Sequence, residues 1–213
     1  IAMVVTILAP AYSAQRPLKL NFVAHYDMDA REAALFASAA PGALPKAIGG
    51  QMKVSDAAVL PGVSAQLASR PLDFADRPAA SATIVEDTTN AKGDRVIAVQ
   101  LSAPGAQMTR LRIPAGAYPA SLTYNTSTLA MREAQNGYFI VDCNGRACDG
   151  ARLQFTIRLP ETYKPPEEPA PWIVQGYWLG LPSEAAATAN ARDDAALRYQ
   201  MGDVTITTKR QAF

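Results

Sequence analysis

The clearest pattern along the chain has a period of two. In RLQFTIRL (152–159), Leu153, Phe155, Ile157 and Leu159 alternate with Arg152, Gln154, Thr156 and Arg158. Such alternation turns one set of side chains to a core and the other to water, and it predicts a half-buried antiparallel strand. QMTRLRIP (107–114) repeats it, with Thr109, Leu111 and Ile113 opposite Met108, Arg110 and Arg112. GDVTITTK (202–209) puts Val204 and Ile206 on one side. RVIAVQL (95–101) and GYFIVDC (137–143) are more uniformly apolar and suit central strands; WIVQGYWLG (172–180) adds another. Turn signals separate these runs at Asn90–Gly93, Pro104-Gly105, Pro114–Gly116, Asn136-Gly137 and Asn144-Gly145. Many short strands at such intervals predict a mainly β chain, an antiparallel β-sandwich with one to three short helices.

Helical pattern is scarce. DAREAALFASAA (29–40) opens with Asp29 and Glu32 in capping-box spacing and stops at Pro41-Gly42, which predicts a helix capped by Asp29. SEAAATANARDDAALRY (183–199) predicts one or two more. Strand and helix do not alternate, so a doubly wound sheet is not expected. YKPPEEPAP (163–171) reads as an extended, exposed connection rather than a boundary, leaving residues 11–213 as a single sandwich domain. Residues 1–10 are apolar and too short to span a bilayer, which takes about 20 residues. They read as the end of a membrane helix or as a first strand.

Composition narrows the function. The chain has 213 residues with 20 basic and 19 acidic side chains, net charge +1. With no basic run to follow a phosphate backbone, no nucleic-acid partner is expected. Cys143 and Cys148 flank the Asn144-Gly145 turn, so a disulfide across a hairpin tip is expected, and with it an oxidising, extracytoplasmic compartment. There is one histidine. A Ser-His-Asp triad would depend on His25, and neither a Gly-x-Ser-x-Gly elbow nor a phosphate-binding glycine loop is present.

Read as a strand, KLNFVAHYD (19–27) puts Lys19, Asn21, Val23, His25 and Asp27 on one face. His25 and Asp27 then suit a pair of metal ligands, or equally a solvated strand end. Trp172 and Trp178 fall on one face of their strand with Tyr177 opposite, and either fill the core or form an exposed pair that stacks on sugars in a carbohydrate-binding module. Arg110, Arg112, Arg152 and Arg158 read as solvated positions.

NFVAHYD also resembles the first metal-ligand motif of zinc exopeptidases of the aminopeptidase Y type, metallopeptidase family 28, with Glu167-Glu168 as a candidate for that family's glutamate pair. The two-zinc site of the family needs a second histidine, which this chain lacks, and a parallel α/β sheet. A second resemblance covers the two ends of the chain. PAYSAQRPLKLNFVAHYD (10–27) and GDVTITTKR (202–210), the latter after LPSEAAATANARDDAA (181–196), resemble the C-terminal extracytoplasmic domain of membrane-bound members of that family. The resemblance implies a non-catalytic accessory domain, periplasmic and tethered to the membrane, with zinc held by an upstream peptidase domain. Its partners would be those upstream peptidase and membrane domains, and a peptide or protein substrate. No cofactor is expected in the chain itself.

Overall fold

A computed structural model describes residues 12–14, 16–39, 44–55, 67–164, 166–192, 196–198, 200 and 202–212. The apolar stretch 1–10, whether membrane helix or strand, lies outside these residues. The chain is mainly β, with short helices and antiparallel sheets in a sandwich-like arrangement. Its internal contacts divide it into two compact units, one of residues 1–25, 32–74 and 179–205, the other of residues 26–31, 75–178 and 206–213.

The first unit contains β1 (Leu18–Lys19), most of β2 (Phe22–Asp27), β3 (Glu32–Ala37), helix α1 (Lys46–Gly49), β4 (Lys53–Ser55), β5 (Leu67–Leu72), helix α2 (Ser183–Asn190) and β14 (Ala196–Leu197). β2, β3, β5 and β4 hydrogen-bond in that order, and β1 runs parallel to β14. Leu20, Phe22, Ala24, Leu35, Phe36 and Ile48 are fully buried. Helix α2 turns Ala185, Thr188 and Ala189 inward. Its docking is polar: Arg70 Nε donates to Thr188 Oγ1 (3.0 Å) and Arg70 Nη2 to Glu184 O (2.9 Å). Thr188 in turn donates to Gln51 Oε1 (3.1 Å).

The centre of this unit is Asp203, whose side chain is 5% exposed. Its Oδ1 accepts the Phe22 amide (2.9 Å) and pairs with Arg192, while Oδ2 lies 3.3 Å from Arg198 Nε. Its carbonyl accepts the Gly180 amide (2.8 Å). The Arg192 guanidinium also lies 4.7 Å above the Phe22 ring. A carboxylate taken out of water is tolerated only with such compensation.

The second unit is a sandwich. One sheet has the order β10-β9-β12-β7-β6, formed by β6 (Ser81–Thr89), β7 (Arg95–Ser102), β9 (Pro119–Tyr124), β10 (Ser127–Ala130) and β12 (Arg152–Ile157). Facing it are β11 (Tyr138–Asn144), β8 (Met108–Pro114), β13 (Trp172–Leu179) and β15 (Val204–Gln211), in that order. Leu101, Leu111, Ile113, Leu153, Phe155 and Trp172 lead the core between them. β12 keeps the alternation read from sequence: Leu153, Phe155 and Ile157 are buried between exposed or half-buried neighbours.

Three local expectations are corrected. The helix expected over 29–40 is absent from the described residues 29–39; Glu32–Ala37 is strand β3, paired with β5. The cause lies just upstream. Asp27, not Asp29, accepts the amides of Asp29 (3.2 Å) and Ala30 (3.0 Å), and Arg31 turns to φ 55°, so the chain reverses before a helix can start. At the far end Ser38 N–H donates to Asn21 O (2.9 Å). The run 137–143 does not give a central strand, because β11 is the end strand of its order. The Cys143–Cys148 disulfide forms, but not across a hairpin. β11 and β12 belong to opposite sheets, and the bridge links the end of β11 to the short 3-10 turn Arg146–Cys148 where the chain crosses over.

Replacing Asp203 by alanine leaves Arg192 buried without its carboxylate and the Phe22 amide without its acceptor. Urea denaturation is expected to show a loss of about 3–5 kcal/mol, the cost of orphaning a buried charge. A loss no larger than that of an ordinary surface substitution would mean that Asp203 does not hold this unit together.

Candidate functional site

A cleft of the second unit lies where the proline-rich connection crosses the end of the sandwich. Residues 159–164 and 166–170, exposed except for the half-buried Tyr163, lead from β12 to β13 beside a cleft of about 560 Å³. That volume falls within the range of small-ligand sites. Ile97, Ile157 and Trp172 form an apolar floor. Tyr118 stands at the rim, 41% exposed and at φ 51°, a backbone conformation that bulky residues rarely adopt. It is fixed there by Arg158 N–H donating to its carbonyl (3.1 Å) and by Tyr163, whose ring meets it edge-on at 5.6 Å. The charged groups of the cleft are Arg95, Lys164 and Glu168. Arg95 is held by two bonds to Asp87 (2.9 and 2.7 Å), which raise its pKa.

The lining contains no serine, cysteine or histidine. The cleft combines an apolar floor with a charged mouth, where Lys164 and Glu168 stand near Thr162 and Tyr163 in the sequence of the connection. Glu167 and Glu168 are both exposed on the proline-rich connection, and only Glu168 reaches the cleft.

The residues singled out from sequence have other surroundings. His25 is 6% exposed, so it is not at a solvated strand end. Asp27 lies in the second unit, bound by Arg210 through two hydrogen bonds (2.9 and 2.8 Å). Burial alone would raise its pKa. The Arg210 hydrogen bonds, the Ala30 amide and the Arg210 charge outweigh this and hold the carboxyl below its ordinary value of 3.8. Asp29 accepts the Arg210 amide (2.6 Å) instead of capping a helix. Among the described residues no group of three or more His, Cys, Asp and Glu side chains is placed to hold a metal ion.

Trp172 and Trp178 do not form an exposed pair. Trp172 is 4% exposed and packs edge-on against Phe155, with centroids 5.5 Å apart. Trp178 folds back along its own strand over Gly176 and donates Nε1–H to Pro104 O (3.1 Å). Arg152 and Arg158 are solvated positions, as read, with side chains 55% and 63% exposed, and pair with Glu86 and Asp94. Arg110 is half-buried and paired with Asp142. Arg112 is 2% exposed and stacks on the Tyr138 ring at 5.1 Å; burial, then the Arg110 charge, lowers its pKa.

Tyr118 and Tyr163 were not legible as site residues. PAGAYP reads only as a turn, and a connector rich in proline gives no sign of the strand end it will cover.

Two substitutions test this geometry. Asp27 is deprotonated more readily when folded than unfolded, so its stabilisation is present above its ordinary pKa and is lost as pH falls through the lowered folded value. Asp27→Asn is expected to cost about 1–2 kcal/mol at neutral pH. Its difference from the wild type should shrink once the pH drops below about 4; a gap that widens with acidification would contradict the assignment. At Gly176, an added Cβ would lie 2.2 Å from Trp178 Cη2 and 2.5 Å from Cζ3. Gly176→Ala should expel the indole, red-shift the tryptophan emission and cost about 1–3 kcal/mol. Comparison with protein-family models, with curated proteins and with solved structures finds no match to this chain.

Proposed function

We propose that the chain is a non-catalytic extracytoplasmic accessory domain of a membrane-anchored zinc peptidase of the family 28 type. In that role it stabilises the enzyme or modulates access of peptide substrates, and zinc belongs to a peptidase domain upstream. The observation that carries the reading is where the two resembling phrases meet. The segment led by Arg16-Pro17-Leu18 continues into β2, and the glycine-aspartate pair opens β15. They are bonded directly, Phe22 N–H to the buried Asp203 carboxylate at 2.9 Å. The helical stretch between is tied to the same carboxylate through Arg192. The features of the resemblance thus form one bonded arrangement rather than scattered similarities. The Cys143–Cys148 disulfide fits the oxidising compartment that the proposal requires.

The alternative of a carbohydrate-binding module built on Trp172 and Trp178 is disfavoured, since Trp172 is buried and the two do not form an exposed pair. Among the described residues no helix is long and apolar enough to cross a membrane.

The test has two arms. The purified chain, dialysed against zinc and assayed by elemental analysis, is expected to hold no stoichiometric metal. Tight zinc at one equivalent, lost on His25→Ala, would sink the accessory reading. An antibody raised against the chain should recover from membranes a longer protein with zinc-dependent aminopeptidase activity. Recovery of a species without that activity would overturn the proposal.

A further inference from the structure

Strand β11 ends its sheet, and the direction of its backbone groups follows from two bonds. Ala115 N–H donates to Gly137 O (2.8 Å) and Gly145 N–H to Gln107 O (2.7 Å). In the same register Phe139 faces Ile113 and Cys143 faces Thr109. Successive residues of an antiparallel strand aim their N–H and C=O at opposite edges. Odd-numbered residues of β11 therefore bond to β8, and Ile140 and Asp142 turn theirs outward, where no described strand pairs with them. Tyr138 also faces outward, but Gln135 takes both of its groups (2.7 and 3.0 Å).

Beyond Gln135 the preceding chain does not stay beside β11. It diverges towards the other sheet, where Met131 N–H donates to Ala120 O (3.0 Å). The divergence opens a groove of about 280 Å³ between the edges of the two sheets. Leu122 and Leu129 line one wall, Phe139 and Val141 the other, and Leu129 is 63% exposed. Exposed strand edges are normally blunted by lysine, proline or an unpaired charge. YFIVDCN has neither lysine nor proline, and its one charge, Asp142, is neutralised by two bonds from Arg110 (2.6 and 2.8 Å).

We propose that β11 is a docking edge for an extended peptide strand that is uncharged and apolar on the face turned to the groove. The outward amides and carbonyls of Ile140 and Asp142 bond to its backbone, and its apolar side chains settle against Leu122, Leu129, Phe139 and Val141. Backbone addition of this kind draws affinity from main-chain bonds and specificity from alternate side chains. An acyl chain has no amides to complete the ladder. Asp142 is paired with Arg110, and the remaining charged residues of the lining, Arg132 and Glu133, are one of each sign, so the groove carries no net charge and an uncharged strand is its electrostatic complement.

The probe is a capped, fluorescently labelled Thr-Val-Thr-Val-Thr-Val peptide, titrated against the full 213-residue chain by anisotropy. Saturable binding is expected, with slowed hydrogen exchange at the Ile140 and Asp142 amides but not at Phe139 or Val141. Ile140→Pro removes one outward N–H while sparing the bonds to β8, a position where an edge strand tolerates proline. It should weaken binding roughly tenfold or more at an unchanged melting temperature. The same peptide with every amide N-methylated should not bind, which keeps the proposal testable if the proline variant fails to fold. Equal binding of the methylated peptide, no binding of either, or a dimer of the chain that protects both amides without peptide would each overturn it. The measurement uses this chain alone, so its outcome is separate from that of the peptidase proposal.

Discussion

A single buried carboxylate governs how the first unit closes. Asp203 sits where β15 begins, and the groups it binds come from distant parts of the chain: the Phe22 amide and the Arg192 and Arg198 guanidinia. In a poorly solvated interior none of these polar groups can be left without a partner at small cost. The start of β2, the exit from α2 and the start of β15 must therefore assemble together. Arg192 adds a second constraint, because its guanidinium covers the Phe22 ring while pairing with the carboxylate. Polar satisfaction fixes the register here, and the small apolar contacts of α2 follow from it.

The second unit is organised by packing. Its core runs between two sheets, and Phe155 and Trp172 meet edge-on within it. Gly176 gives Trp178 room to fold over the strand, so the same glycine that breaks the apolar run of β13 determines where the indole lies. The disulfide holds the crossing between the sheets, and the hydrogen bond from Ala103 N–H to Asp149 Oδ1 (2.8 Å) fixes the neighbouring turn. On one side of the sandwich both sheets end, at β10 and at β11.

Strands with one wet face were readable. β12 follows the alternation of Leu153, Phe155 and Ile157, and the Asn136-Gly137 turn adopts positive φ at both residues, as its sequence signals. Failures came where two structures fit the same residues. Alanine-rich EAALFA favours a helix by propensity, yet it forms β3 because Asp27 closes a tight turn before it and β5 pairs with it. GYFIVDC has the composition of a central strand, but composition says nothing about whether its edge is paired. Arg112 reads as solvated by alternation and is buried against Tyr138.

The sequence by itself determined the class: alternation and turn residues act over a few positions, and period two with frequent turns permits little but antiparallel β structure. It also placed two cysteines close enough in the chain to pair, and in the structure they do. Tertiary structure alone decided which carboxylate is buried, which strand ends its sheet and which indole is covered. Those outcomes depend on residues far apart in sequence, such as Phe22 with Asp203 or Asp27 with Arg210. No local pattern encodes such pairings, because the free energy that selects them arises only when the distant groups leave water together.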